Sequence, residues 1–242
     1  GNLYDEYSEA AGKGVTAKAF KTKNPLLRLS NGTVAIDAYA TDAAALVKSL
    51  NALGATRVSA RGPLVSARVP VKSLGQIAGL TSLRSARTVL AMTDSLPPNA
   101  VSQGDVSMNG PAARSAFGVD GAGVTVGTLS DSFACNPGPF RTGAPSSTFA
   151  QDVLNGELPP MTSNDILSEG PCPSADEGRA LAQLIHDVAP GAAIKFYTAM
   201  GGERDFADGI IELAQTGARV IVDDVRYFAE PRGSHRLGGY NE

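Results

Sequence analysis

Two acidic residues, Asp131 and Glu177, occupy positions where α/β proteins often have functional side chains. Asp131 follows the β-branched run Gly123-Val-Thr-Val-Gly-Thr-Leu-Ser, and Glu177 begins the helical stretch Glu177-Gly-Arg-Ala-Leu-Ala. Functional side chains of α/β proteins gather beyond the carboxyl ends of parallel strands, which is where Asp131 would lie. A carboxylate at such an edge can carry a proton during catalysis. The function therefore depends on whether the side chains of these two acids lie close together in the fold.

Each acid also has a structural interpretation, which the residues alone favour. Asp131 fits an exposed loop acid or an Asx-turn after a strand. Glu177 fits a capping box with Ser174, in which the glutamate bonds back to the cap backbone. The rival interpretation makes Glu177 a partly buried acid. At about 100° per residue it lies in line with an apolar stripe of the same helix. The stripe consists of Leu181, Leu184 and Val188.

Other polar residues near this edge are further candidates. Asp176 precedes Glu177, but its predicted direction is sideways from the helix. Asp223 and Asp224 end an apolar strand, either as a solvated strand end or as acids that line a cleft. The helix face opposite the apolar stripe carries Arg179, Gln183 and His186. We therefore expect His186 to be a surface histidine rather than a general base.

The glycines beside the first strand invite a dinucleotide-binding interpretation. A phosphate-binding glycine loop follows a strand and opens a helix, so that the helix N-terminus faces the phosphate. Gly121 and Gly123 instead precede the strand. A nucleotide-binding α/β domain is therefore only a third and weaker alternative.

The chain contains two cysteines, Cys135 and Cys172, which exclude a CxxC metal site. We expect neither a metal nor a cofactor. Cys135 follows the first strand and Cys172 precedes the Glu177 helix, so both would lie at one edge of the sheet. A disulfide would close a loop of about 37 residues and stabilise the fold by about 3–4 kcal/mol. The spacing favours this disulfide over two unpaired thiols.

Length and charge limit the classes of partner. The 242 residues suffice for one large domain or two small ones. A net charge of −3 gives no reason to expect a nucleic-acid partner. No apolar run approaches the roughly 20 residues that cross a bilayer, so we expect no membrane span.

The first recognisable unit lies at residues 33–92. Val34, Ile36 and Ala38 alternate on one strand face, and Asp42 is placed to cap the following helix. The order of predicted elements is β-α-β-β-α-β, the split βαβ motif.

After this unit, strands alternate with helices, which predicts a parallel sheet. The predicted strands lie at 123–129, 165–168, 193–198 and 219–223, and the predicted helices at 148–154, 175–188 and 204–215. The predicted organisation is a solvated arm at 1–32, a βαββαβ domain at 33–92, a linker at 93–119, an α/β domain at 120–231 and an irregular tail at 232–242.

Taken together, these segments resemble the subtilisin-like serine peptidases, in a divergent bacterial branch near the boundary with the sedolisins. The run that ends in Asp131 resembles the first catalytic motif, a strand that ends in the triad aspartate. Asp176-Glu177-Gly178 resembles the second motif, with glutamate in the place of the catalytic histidine. Residues 33–92 resemble the prodomain of such enzymes. The resemblance covers residues 33–231, which correspond to the N-terminal portion of the family.

The resemblance implies a fold and an activity. The fold would be a ferredoxin-like βαββαβ prodomain followed by an incomplete subtilisin-like three-layer domain with a parallel sheet. The activity would be hydrolysis of peptide or protein substrates by a secreted or cell-envelope monomer. Sedolisins carry their aspartate four residues after the glutamate, where this chain has Leu181, so Asp131 would be the partner of Glu177. We expect the two carboxylates within about 8 Å of each other, near enough to couple.

The nucleophile is the main departure from the family pattern. The family places it in a later Gly-Thr-Ser segment, and no serine of this chain is assigned to that role, including Ser130 and Ser132 beside Asp131. We therefore expect this chain to be inactive by itself. The alternative is a non-catalytic pseudoenzyme, or a binding module in which residues 33–92 act as a chaperone or inhibitor.

Overall fold

The chain has a mixed α/β fold with one antiparallel and one parallel four-stranded sheet. The computed structural model describes residues 2–24, 27–93, 103–135 and 147–227. It forms two compact units. The first comprises Gly1–Met92, Ala199–Asp208 and Arg226–Glu242, and the second comprises Thr93–Thr198 and Gly209–Val225. The predicted α/β fold with a βαββαβ segment before a parallel sheet is confirmed.

The first unit contains the predicted β-α-β-β-α-β order. Its elements up to residue 93 are α1 (Asn2–Gly12), β1 (Thr33–Ala40), α2 (Ala43–Ala52), β2 (Thr56–Arg61), β3 (Leu64–Pro70), α3 (Leu74–Ala78), β4 (Leu83–Thr88) and β5 (Ala91–Thr93). The first four strands form an antiparallel sheet in the order β2-β3-β1-β4. This is the strand order that a split βαβ motif produces.

The core of this unit follows the alternation of the first strand. Val34, Ile36 and Ala38 are buried on the side of the sheet that α2 covers with Leu46. Helix α2 begins as predicted, because Asp42 accepts a hydrogen bond at 3.0 Å from the backbone N–H three residues later.

The prediction of a solvated arm at residues 1–32 is wrong. Leu3 of α1 and Phe20 are buried in the same core as the sheet. The ring of Tyr7 packs edge-on against Phe20, with 5.3 Å between ring centroids. Sequence reasoning missed this packing because few apolar residues are involved and they lie far apart along a lysine-rich stretch.

The elements from residue 103 onward alternate between helix and strand. They are α4 (Gln103–Ser107), α5 (Gly110–Phe117), β6 (Thr125–Ser130), α6 (Phe149–Asn155), β7 (Ile166–Ser168), α7 (Glu177–Val188), β8 (Ala193–Thr198), α8 (Glu203–Gln215), β9 (Val220–Asp223) and β10 (Val225–Tyr227). Strands β7, β8, β6 and β9 form the parallel sheet in that order, as the alternation predicts. Strand β10 pairs with β5.

The stretch predicted as a linker or domain boundary at 93–119 contains two short helices where the structure describes it. Helices α4 and α5 occupy residues 103–107 and 110–117, and Arg114 of α5 forms an ion pair at 2.7 Å with Asp105 of α4. Residues 94–102 and the predicted tail at 232–242 lie outside the described residues.

An aromatic cluster packs the start of α7 against the parallel sheet. Phe133 is fully buried, and its ring lies 5.1 Å from that of Phe196 and 5.5 Å from that of Phe149. Ala182 of α7 belongs to the same core. The cluster therefore packs the segment after β6 and helix α7 against strand β8.

Candidate functional site

Asp131 lies directly beyond the carboxyl end of β6 and is fully buried. Its Oδ1 accepts hydrogen bonds from the backbone N–H of Ser132 at 2.5 Å and of Glu177 at 2.9 Å, with the Ser132 hydroxyl at 3.3 Å. Its Oδ2 accepts from the hydroxyl of Ser174 at 2.6 Å and from the N–H of Ala175 at 3.2 Å. The carboxylate therefore binds both the end of the strand and the beginning of α7.

The capping box predicted between Ser174 and Glu177 is not formed. Helix α7 begins at Glu177, its N-cap position is Asp176, and the side chain of Asp176 makes no capping bond to the helix. The hydroxyl of Ser174 donates to Asp131 instead. Asp131 itself supplies the negative group at the helix N-terminus, where backbone N–H groups and the helix dipole favour an anion.

The predicted rotation of α7 is also wrong. Leu184 and Val188, expected in the buried stripe, are exposed. The buried residues of the helix are Gly178, Arg179 and Ala182. Glu177, half-buried, therefore lies off the most buried face of the helix. The apolar pattern failed here because small residues and one arginine, rather than leucines, face the sheet.

Arg179 is a buried cation that sequence reasoning placed on the polar face. Its Nε lies 3.2 Å from Oδ2 of Asp152, and its Nη2 lies 3.4 Å from Oδ2 of Asp176. Nη2 also donates to the carbonyl of Ser147 at 3.0 Å. The spacing of Asp176 and Arg179, three residues apart, is the one signal in the sequence that indicates this pairing.

Asp176 does not project sideways, as the sequence predicted, but towards the strand end. It is buried and adopts a left-handed backbone conformation with φ of 55°. Its Oδ1 accepts from the hydroxyl of Ser132 at 2.7 Å and from the N–H of Cys135 at 2.9 Å. Ser132 therefore connects Asp176 to Asp131, and Arg179 extends this network to α6.

Of the two acids at the end of β9, only Asp224 joins the site. Asp223 is exposed, and its carboxylate lies 3.3 Å from the N–H of Val225. Asp224 accepts a hydrogen bond from the Ser130 hydroxyl at 3.1 Å. Burial, and then the negative charges of Glu177 and Asp131, raise the pKa of Asp224 to about 6 against the lowering effect of the hydrogen bonds from Ser130 and from the backbone of Asp224 itself. Three carboxyl groups are therefore close enough to interact electrostatically at this edge.

The two cysteines form a disulfide bond, Cys135–Cys172, with 5.0 Å between Cα atoms. It links the segment after β6 to the segment before α7, at a sequence separation of 37 residues. The bond lies beside Asp176, because the N–H of Cys135 donates to that carboxylate. The covalent link therefore joins the segments that supply Asp131, Asp176 and Glu177.

His186 is not part of the acid cluster, and it is less exposed than the expected surface histidine. It is half-buried, and its Nδ1 has no hydrogen-bond partner among the described residues. It lies nine residues beyond Glu177 on α7, about 13 Å along the axis at the rise of an α-helix. The two side chains therefore cannot serve one reacting atom.

The three serines beside the acids are buried and hydrogen-bonded. Ser130 and Ser132 have no exposed surface, and Ser174 is 7% exposed. Each hydroxyl donates to a carboxylate: Ser130 to Asp224, Ser132 to Asp176 and Ser174 to Asp131. These hydroxyl groups therefore stabilise the acids and are not open to solvent.

Neither a metal site nor a membrane helix is found in the described part of the chain. No group of three or more His, Cys, Asp or Glu side chains there is arranged to hold a metal ion. Within the same residues, no helix has the length and apolar character to span a membrane.

No family model and no curated protein matches this sequence. Solved structures do match. One is the epidermin leader peptide processing serine protease EpiP from Staphylococcus aureus, at 12% identity and a TM-score of 0.36, with 80% of this chain and 50% of that chain covered. Another is fervidolysin from Fervidobacterium pennivorans, described as a keratinolytic enzyme related to subtilisin. It matches at 14% identity and a TM-score of 0.33, with 82% of this chain and 37% of that chain covered.

A mutant of the Staphylococcus aureus protease matches at 12% identity and a TM-score of 0.40, again over 50% of its length. This chain thus spans about half the length of the Staphylococcus aureus protease and less of fervidolysin.

Proposed function

We propose that residues 123–224 carry the two acids of a subtilisin-like serine peptidase site, with Glu177 as general base and Asp131 as the acid that positions it. The observation that carries this proposal is the hydrogen bond from the backbone N–H of Glu177 to Oδ1 of Asp131, at 2.9 Å. It joins the two residues that resemble the first and second catalytic motifs of the family. The substrate class is a peptide or protein.

The different surroundings of the two carboxyl groups support these proposed roles. Asp131 accepts from donors on both of its oxygens, so its lone pairs are occupied and it serves to hold the start of α7. Glu177 is half-buried at the first position of that helix. It would take the proton of a serine that attacks the peptide carbonyl, and return that proton to the leaving amine.

The nucleophile of this proposal is not Ser130, Ser132 or Ser174. All three are buried, and each donates its hydroxyl proton to a carboxylate. The proposed reaction requires a serine from another segment, and we expect no hydrolysis by the 242-residue chain alone.

A fluorophosphonate probe tests this expectation, because such reagents react with activated serine nucleophiles. The 242-residue chain should show no more labelling than the same chain after heat denaturation. Labelling of one serine in the folded chain alone would contradict the assignment of the nucleophile. The parent reading frame provides the complementary observation. An in-frame Gly-Thr-Ser segment downstream supports the peptidase, and its absence supports a non-catalytic protein.

A second candidate function, a binding or inhibitor module, is supported by one feature of the first unit. Asp37 of β1 and Ser66 of β3 lie on the sheet face opposite the core and hydrogen-bond to each other. Ser66 accepts from the N–H of Arg204 at 3.1 Å, and Asp37 lies 3.4 Å from the N–H of Glu203. The sheet therefore holds the first turn of a helix through polar side chains.

Inhibition of a subtilisin-type peptidase by the whole chain tests this second function. If residues 33–92 act as an inhibitor, added chain should lower hydrolysis of a peptide substrate. Asp37 is buried against Ser66 and the start of α8, so Asp37→Ala should weaken the effect only indirectly, by loosening the sheet that presents the inhibitor surface. Glu157→Gln, at an exposed site, is the matched control and should inhibit like the native chain. No inhibition by the native chain would remove this candidate.

A further inference from the structure

The strand register places Asp224 next to Asp131 at the carboxyl edge of the parallel sheet. Strands β6 and β9 pair in parallel with Leu129 opposite Asp223. The next positions along the two strands are Ser130 and Asp224, and the Ser130 hydroxyl donates to Oδ2 of Asp224 at 3.1 Å. Asp224 is therefore one strand away from the acid that holds the N-terminus of α7.

The carboxyl groups of Asp131 and Asp224 differ in the number of hydrogen bonds that they accept. Both oxygens of Asp131 accept hydrogen bonds, three of which come from backbone N–H groups. Oδ2 of Asp224 accepts from Ser130, while its Oδ1 is buried and has no hydrogen-bond partner within the described ranges. A buried charged oxygen without a donor is costly, and the cost falls when the carboxyl group is protonated.

We propose that Asp224, rather than Asp131, is the carboxyl group that carries a proton beside Glu177 in this site. The proposal rests on the function proposed above, and it assigns Asp224 as a positioning residue that acts through Glu177. The proton on Asp224 removes one negative charge from the cluster. Below about pH 6, where Asp224 holds this proton, the loss of one neighbouring negative charge favours the ionised form of Glu177 that takes the proton of the nucleophile, and Asp224 takes no part in that transfer.

The charged groups around Asp224 support this assignment. Asp131 at the end of β6 and Glu177 on α7 are the two charges that act on it, and both are negative. Asp223, its neighbour in the chain, is exposed to solvent, which screens its charge. Burial and these two charges raise the pKa of Asp224 to about 6.

Carboxyl-carbon NMR titration of the whole chain tests the proposal without requiring peptidase activity. The Asp224 resonance is assigned by its loss in Asp224→Asn, and its midpoint is followed between pH 3 and pH 8. We expect a midpoint of about 6 in the native chain. Glu177→Gln removes one of the two charges and should lower the midpoint by on the order of one pH unit. The matched control Glu157→Gln should leave it unchanged.

A second variant keeps the test valid if Glu177→Gln perturbs the fold. Ser130→Ala removes the hydrogen bond that lowers the pKa of Asp224, so the midpoint should move upward. A native midpoint below about 4.5, or one that neither variant moves, would overturn the role of Asp224. That result would leave the peptidase proposal standing, since labelling and hydrolysis test the peptidase separately.

Discussion

The carboxylate of Asp131 accepts a hydrogen bond at 2.9 Å from the backbone N–H of Glu177, the first residue of helix α7. Asp131 thus follows the last residue of β6 and caps a helix that begins 46 positions later in the chain. Because the capping group comes from a distant segment, the position of Glu177 depends on the fold as a whole. The acid pair is therefore a tertiary feature rather than a local one.

Replacement of Asp131 should be costly for stability. Asp131→Ala leaves several buried donors without an acceptor, so we expect a loss of about 3 kcal/mol or more in the free energy of unfolding. Asp120→Ala is the control, since Asp120 is exposed and accepts one local bond, from Ala122 at 2.9 Å. Asp120→Ala should lower the free energy of unfolding by about 1 kcal/mol or less. Urea unfolding of both variants makes the comparison, and equal losses would contradict the capping role.

The sequence predicted the sheets better than the site. The alternation of Val34, Ile36 and Ala38 and the alternating strands and helices after residue 120 rest on local periodicity, and the structure has these elements within a few residues of their predicted bounds. The rotation of α7 could not be predicted, because the residues that face the sheet include Gly178 and Arg179. Burial of an arginine depends on carboxylates that only the fold brings to it.

Arg179 should be essential to the packing of α6 on α7. Arg179→Met leaves Asp152 and Asp176 buried without their cation, and we expect a loss of about 3–5 kcal/mol in the free energy of unfolding. The double variant Arg179→Met with Asp152→Asn also removes one of the two buried carboxylates left without a cation, and it should recover part of this loss. A double-variant cycle in urea measures the recovery, and strictly additive losses would contradict the ion pair.

Gly178 allows the start of α7 to approach strand β8. A Cβ atom at this position would lie 2.3 Å from a ring carbon of Phe196 and 2.8 Å from the carbonyl oxygen of Ser132. Gly178→Ala should therefore lower the free energy of unfolding by about 1–3 kcal/mol. Gly12→Ala is the matched control, because a Cβ there meets nothing within 4 Å. Thermal unfolding that is unchanged by Gly178→Ala would contradict this close contact.

Asp224 should make stability depend on pH in the direction opposite to a salt-bridged acid. Folding raises the pKa of Asp224 to about 6, so between about pH 4 and pH 6 the folded chain holds a proton that the unfolded chain has released. Its stabilising contribution is complete below the unfolded pKa and is lost as the pH rises through about 6.

Asp224→Asn keeps the neutral form at every pH and should therefore be more stable than the native chain at pH 7. We expect a gain of about 1 kcal/mol, smaller than the full shift would give because the side chain is partly solvated. The gain should disappear near pH 4. Urea unfolding at the two pH values measures it, and a variant that is less stable at pH 7 would argue for an ionised Asp224 with a stabilising partner.

The most direct test of the proposed function is peptide hydrolysis by the protein that the whole reading frame encodes, compared between the native form and the matched variants Glu177→Gln and Glu157→Gln. A general base contributes about 10²- to 10⁴-fold to the rate. We therefore predict that Glu177→Gln lowers kcat/KM by about 10³-fold, whereas Glu157→Gln, at an exposed position, retains the native value. Undiminished hydrolysis by the Glu177→Gln variant would contradict the assignment of Glu177 as the base.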